Sequence, residues 1–150
     1  MDIYTLIHDD HEAARKIIEQ IEASSSYVNR LSLFHKLRMA VVAHNDAEAG
    51  SFYVALEAHA ATRQIAARSR TEHEEADTLM DDLRDTSMAQ SMWEGKFAEL
   101  KRALMEHIEK EETHVFAAAR RVLSAKMAAE LADAMQQLKL MRERLIKQAS

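Results

Sequence analysis

The stretch 91–121, SMWEGKFAELKRALMEHIEKEETHVFAAARR, carries the pattern that most narrows the fold. Phe97, Leu100, Leu104, His107, Glu111, Val115 and Ala118 recur at steps of three and four, the inward stripe of a helix in a bundle. Two of these positions are polar, His107 and Glu111, and they stand one turn apart. A carboxylate left unpaired in a core is strongly destabilising. At i and i+4 on one face, an imidazole nitrogen and a carboxylate oxygen reach a common point. A metal ion at that point satisfies both.

The rest of the chain is equally helical in character. It has no proline and only Gly50 and Gly95 in 150 residues, so turns and strands are poorly provided for. Ala, Leu, Met, Glu, Lys, Arg and Gln dominate, and these favour helix. The expected class is all-α, in one domain spanning residues 1–150. Zero cysteine excludes disulfides and thiolate ligands and fits a cytoplasmic location. Any metal must be held by nitrogen and oxygen. A formal charge of −5 gives no reason to expect nucleic acid or an anionic membrane. No apolar run approaches the roughly 18 residues of a spanning helix. The start MDIYTLIHDDHE lacks a basic n-region and an apolar h-region, so no signal peptide is expected.

Five helices are expected. Asp2 caps the first, to about Ala23, with Ile3, Ile7, His11, Ala14, Ile18 and Ile21 inward. Ser24–Ser26 form a turn. The second covers roughly 27–57, with Val28, Leu31, Leu37, Val41, His44, Glu48, Phe52 and Ala55 inward. Gly50 within it either permits a close helix contact or is simply tolerated. A break at 58–62 leads to a third helix, 62–85, carrying Ala66, Ser69, His73, Ala76, Met80 and Leu83. Asp85-Thr86-Ser87 closes it, the 91–121 helix follows, and Ser124 caps a fifth to about Gln148. Four long helices with short breaks make an up-down-up-down antiparallel four-helix bundle, about 2–122, with an additional C-terminal helix, about 124–148. The last helix has an apolar stripe of Met127, Leu131, Met135, Leu138, Met141 and Leu145, and is expected to pack outside the bundle or join a homodimer.

Each bundle helix carries one histidine in its stripe: His11, His44, His73 and His107. Two add a glutamate at i+4, Glu48 and Glu111. At roughly 1.5 Å per residue, the heights of His44 and His73 above their shared turn agree within about 3 Å, and those of His11 and His44 within about 6 Å. All four can lie at one level. Four imidazoles and two carboxylates exceed a tetrahedral zinc site. They suit two octahedral-leaning ions bridged by the glutamates, with iron first and manganese or zinc behind it. A vacant position would take a small ligand such as O₂.

The ordered set DDH11, H44-NDA-E48, H73 and H107-IEK-E111 resembles the hemerythrin-like HHE cation-binding domains, over about residues 2–122. The resemblance implies a hemerythrin-like four-helix bundle with a non-haem di-iron centre, the irons oxo- or hydroxo-bridged. The ligands it carries over are His11, His44, Glu48, His73, His107 and Glu111. The fifth helix matches the extra helix of many bacterial members. One departure stands out: oxygen-carrying members have a second histidine four residues after the one on the third helix, and here that position is Asp77. Asp77 or water would then complete the site, and an additional carboxylate would stabilise the ferric state and weaken reversible O₂ carriage.

Two functions follow from the same centre. One is a protein that binds O₂ or a related ligand such as NO, in sensing, storage, or iron and stress handling. The other is a di-iron peroxidase, oxidase or nitric-oxide-consuming enzyme. A third, metal-free reading makes the chain a helical interaction module using its Met-rich last helix. Glu111-x-x-His114 also has the spacing of ferritin-like di-iron proteins, but a second such motif is absent. His114 is read as lining an access path or supporting a ligand, and Glu112, with Asp46, Glu74, Glu75 and Glu109, as a solvated face from which Glu112 alone could hold a ligand in place. His8, His35 and His59 are read as solvent-facing, and Phe52 and Tyr53 as a shield between the metal pocket and water.

Overall fold

Asp2 begins the first helix by accepting a hydrogen bond from the Thr5 backbone N–H at 2.9 Å, and Ser26 and Ser124 cap later helices in the same way. In the computed structural model, which describes residues 1–85 and 90–149, these caps open α1 (Ile3–Ala23), α2 (Tyr27–Ala49) and α7 (Ala125–Ala149). Between them lie α3 (Phe52–Glu57), α4 (Arg63–Asp85), α5 (Gln90–Lys110) and α6 (Phe116–Val122), with one π turn, Glu111–Val115, joining α5 to α6. The chain is an up-down-up-down bundle of α1, α2–α3, α4 and α5–α6, with α7 packed on α1 and α2. No strand occurs among the described residues, and no helix is long and apolar enough to cross a membrane. Of the turn expected at Asp85-Thr86-Ser87, the last two residues fall outside the described residues; Asp85 still belongs to α4.

Two of the expected long helices are interrupted, each for a local reason. The 27–57 helix breaks at Gly50 and Ser51. Glycine is a poor helix former, and the Ser51 hydroxyl donates to the Ala47 carbonyl at 2.6 Å, competing with the backbone ladder. A Cβ on Gly50 would lie 3.2 Å from Leu138 Cδ1, so the residue does permit close approach of α7. In the fourth bundle helix the π turn adds one residue to the winding. The inward register beyond it moves on by one: Phe116 and Ala119 are buried, whereas Ala118 is only partly so.

The buried side chains form two apolar clusters. One gathers Ile3, Ile7, Phe52, Leu56, Phe116 and Met135; the other gathers Ile18, Leu37, Met80, Trp93, Phe97 and Leu100. Along every bundle helix the polar stripe residues fall between them: His11 between Ile7 and Ala14, His44 and Glu48 between Val41 and Phe52, His73 between Ala66 and Ala76, His107 and Glu111 between Leu104 and Val115. The core is therefore two hydrophobic halves with a polar layer at mid-height.

Some expected core positions face water. Val28 is 77% exposed and Leu31 37%, because Tyr27 and Phe34, both against the Trp93 ring, carry the inward face of α2 at its first turns. On α7, Met135 is buried, while Met141 and Leu145 are exposed; Ala128 and Ala132 take the inward places. Leu100→Ala should lower the unfolding free energy by about 2–5 kcal/mol. Val28→Ala should change it by less than about 0.5 kcal/mol. Urea melts of the two variants check the contrast.

Candidate metal centre

The register of the four helices brings the six sequence-selected side chains to one level. His11, His44 and Glu111 each offer an atom to one common point, and Glu48, His73 and His107 to a second. All six are buried, with both glutamates 0% exposed. His11 Nε2 lies 3.2 Å from Glu111 Oε1, and His107 Nε2 lies 3.7 Å from Glu111 Oε2. His44 Nε2 and His73 Nε2 lie 3.5 Å and 3.1 Å from Glu48 Oε1. Each glutamate thus faces one histidine of each triad, as a bridging carboxylate would.

The opposite ring nitrogens are held from outside. The His11 Nδ1–H donates to Glu112 Oε2 at 2.7 Å, that of His44 to Asp10 Oδ2 at 2.8 Å, and that of His107 to Glu72 Oε1 at 2.8 Å. A carboxylate only accepts, so each bond fixes the proton on Nδ1 and leaves the Nε2 lone pair of the neutral ring pointing inward. The carboxylates are in turn anchored to cationic or titratable groups nearer the surface: Glu112 to His8 at 2.8 Å, Asp10 to Lys139 at 2.7 Å, Glu72 to Lys110 at 3.1 Å.

Inside the layer the account of polar groups does not balance. His11 Nε2, His44 Nε2, both oxygens of Glu48 and Glu111 Oε1 are buried without a hydrogen bond. Such atoms are expensive when nothing else satisfies them. His73 Nε2 and His107 Nε2 converge to 3.2 Å, and an ion bound to both nitrogens would take the place of the proton between them. Nitrogen and oxygen donors in this number fit two hard or borderline ions.

Electrostatics tell the same story for the metal-free protein. Burial opposes the charged form of His44, but the Glu48 carboxylate and the bond to Asp10 outweigh it and hold its pKa up to about 10. His107 is likewise raised against burial, by its bond to Glu72 and the nearby Glu111 charge. Glu48 is driven well below the usual range despite its burial, chiefly by the charge of His44. Protons stand in for cations here.

Tyr53, expected with Phe52 as a shield between the metal pocket and water, also enters the layer itself. Its hydroxyl lies within the layer, donating to Glu111 Oε2 and sitting 3.2 Å from His73 Nε2. Burial, together with the Glu48 and Glu111 charges, pushes the phenol well above its ordinary pKa, so it stays neutral. The α2–α3 break turns this residue inward, and periodicity alone gives no sign of it. Asp77 belongs to neither triad. It faces a surface hollow shared with Arg38, Asp46 and Arg142, and burial raises its pKa. His114 is exposed and belongs to neither triad. Glu112 does hold His11, as its position suggested. His8 and His35 are exposed and His59 is partly so. Asp10 and Glu72 were not singled out from the sequence. Each immediately precedes an inward histidine, about 100° around the helix, and so faces the neighbouring helix.

A helical bundle with clustered histidines and carboxylates across its waist defines a class, the helical cation-binding domains. Residues 2–119 match the hemerythrin HHE cation binding domain, and the chain belongs to that family. No curated protein and no solved structure matches the chain.

For the metal-free protein the sign of the pH effect is fixed. The raised His44 pKa contributes stability that is complete below about 6.5 and is lost as pH rises through about 10. The lowered Glu48 pKa contributes stability above its unfolded value, lost in acid as pH falls through its folded one. Urea midpoints of chelator-treated protein should therefore decline from pH 6.5 towards 10.

Proposed function

We propose that the protein holds two non-haem iron ions and binds O₂ or a related small ligand such as NO, in the cytoplasm, in oxygen or redox sensing, storage, or iron and stress handling. The observation that carries it is the pair of buried triads, in which His11 Nε2, His44 Nε2, both Glu48 oxygens and Glu111 Oε1 make no hydrogen bond. His11, His44 and Glu111 would serve one ion, and Glu48, His73 and His107 the other. Glu48 and Glu111 would be shared between the two. When bound, the ions supply a redox-active centre for a diatomic ligand.

The surrounding residues do the positioning. Glu112, Asp10 and Glu72 orient the histidines and raise their basicity as ligands. Asp77 stands outside both triads, and Tyr53 places a protein oxygen 3.2 Å from His73 Nε2. Metal analysis and absorption spectra test the reading. Protein purified without chelators should carry close to two irons per chain. It should be nearly colourless when reduced without air and gain near-ultraviolet bands on exposure to air. A metal content near zero would leave the metal-free interaction module in its place.

A second reading, turnover of peroxide or NO, draws on Tyr53. Its neutral hydroxyl is a proton donor inside a buried layer, and such a donor suits reduction of a bound ligand. On this reading, Tyr53→Phe should retain iron but lose peroxide or NO turnover by about 10²-fold or more. Equal turnover in both proteins, or stoichiometric binding alone, would favour the binding protein.

A further inference from the structure

The three carboxylates that hold histidines differ in where their own anchors come from. Glu112 is tied to His8 of α1 and Glu72 to Lys110 of α5. Both anchors fall within the residues that match the family. Asp10 is tied instead to Lys139 of α7, a helix that lies beyond those residues.

Lys139 stands at an inward place on α7. The buried stripe of that helix reads Ala128, Ala132 and Met135, and the next step of four reaches Lys139. Beside it, Leu138 meets α2 where Gly50 leaves room. The lysine ammonium lies 2.7 Å from Asp10 Oδ1, and Asp10 Oδ2 accepts the His44 Nδ1–H at 2.8 Å. Each carboxylate oxygen thus has its own donor, and the group is held at both ends. The Lys139 and Asp10 side chains are only 17% and 15% exposed. The next pair along α7, Arg142 with Asp46, is 43% and 49% exposed. Exposed pairs are screened and hold geometry weakly, whereas a sheltered pair is screened much less.

We propose that Lys139 is a positioning residue: it fixes the Asp10 carboxylate and, through it, the His44 ring in the orientation that turns Nε2 towards His11 and Glu111. Its effect on ion binding rests on the reading of the triads as ion sites; its hold on the ring does not. Without the ammonium, Asp10 Oδ1 turns to water and the His44 Nδ1–H is left with an unanchored acceptor. His11 and His107 keep their own braces, Glu112 with His8 and Glu72 with Lys110. The loss is therefore felt at one imidazole of the three braced rings, and at one ion of two. By reciprocity, an ion held by His44 strengthens the seating of α7 on α1 and α2.

Two readouts on the full chain test this. The first is ¹⁵N-histidine NMR of chelator-treated protein at one fixed pH, following exchange of the His44 Nδ1–H with water. Lys139→Met, which keeps the stem and removes the donor, should speed that exchange and leave His11 and His107 unchanged. Lys139→Arg should restore it. The second is an anaerobic Fe²⁺ titration. Lys139→Met should bind one ion about tenfold more weakly, the low end of the cost of removing a ligand's outer partner, and the other as before. Arg142→Gln, which removes the exposed pair, should move neither readout. If Lys139→Met fails to fold, Lys139→Gln serves in its place. A lysine that merely seats α7 would lower the melting temperature and move neither readout. Unchanged exchange at His44 overturns the proposal, as does an equal effect of Arg142→Gln. With Fe²⁺ bound, two unchanged affinities or an equal weakening of both ions also overturns it. A wild-type chain that takes up no Fe²⁺ defeats the reading of the triads as ion sites, and the His44 exchange then decides this proposal alone.

Discussion

Six polar side chains sit where a bundle of this size would ordinarily place leucine, and every other feature of the fold answers to that. Burying two carboxylates and four imidazoles between apolar halves is unfavourable unless opposite charge arrives in the same layer. In the metal-free protein a proton on His44 supplies part of that charge against Glu48. The inward nitrogens and oxygens that still make no hydrogen bond mark where cations would supply the rest. Outer carboxylates on three helices and their basic partners then hold the rings, so that the layer is braced from the surface inwards.

That layer was open to reading from periodicity because its residues obey the helical stripe. His11, His44, His73 and His107 each occupy a place a hydrophobic residue would fill, and a polar residue at such a place is conspicuous. The residues that escaped do not lie on the stripe or do not keep its period. Asp10 and Glu72 lie a sixth-to-third of a turn away, and only packing shows that each serves a histidine on another helix. Tyr53 follows a break that Gly50 and Ser51 introduce, so an unbroken count of 3.6 residues per turn points it elsewhere. The π turn after Lys110 has the same effect further on, exchanging Ala118 for Phe116 and Ala119.

Both interruptions fall within one turn of a buried glutamate. Gly50 and Ser51 follow Glu48, and the π turn starts at Glu111. A π turn widens the helix locally and is frequent where a side chain must be re-aimed. Here it lets consecutive residues, Glu111 and Glu112, both address His11, one at each ring nitrogen. A regular helix would set those two carboxylates about 100° apart. Asp77, one turn after His73 in sequence, lines a surface hollow with Arg38 and Arg142 and stands outside both triads, while the Tyr53 hydroxyl lies 3.2 Å from His73 Nε2.

Cations at the waist of the bundle are the claim on which the function depends. Anomalous diffraction from crystals of the iron-loaded protein, collected on both sides of the iron absorption edge, addresses it most directly. Two peaks are expected, one among His11, His44 and Glu111 and one among Glu48, His73 and His107. Peaks elsewhere on the chain, or a single peak outside both triads, would contradict the account.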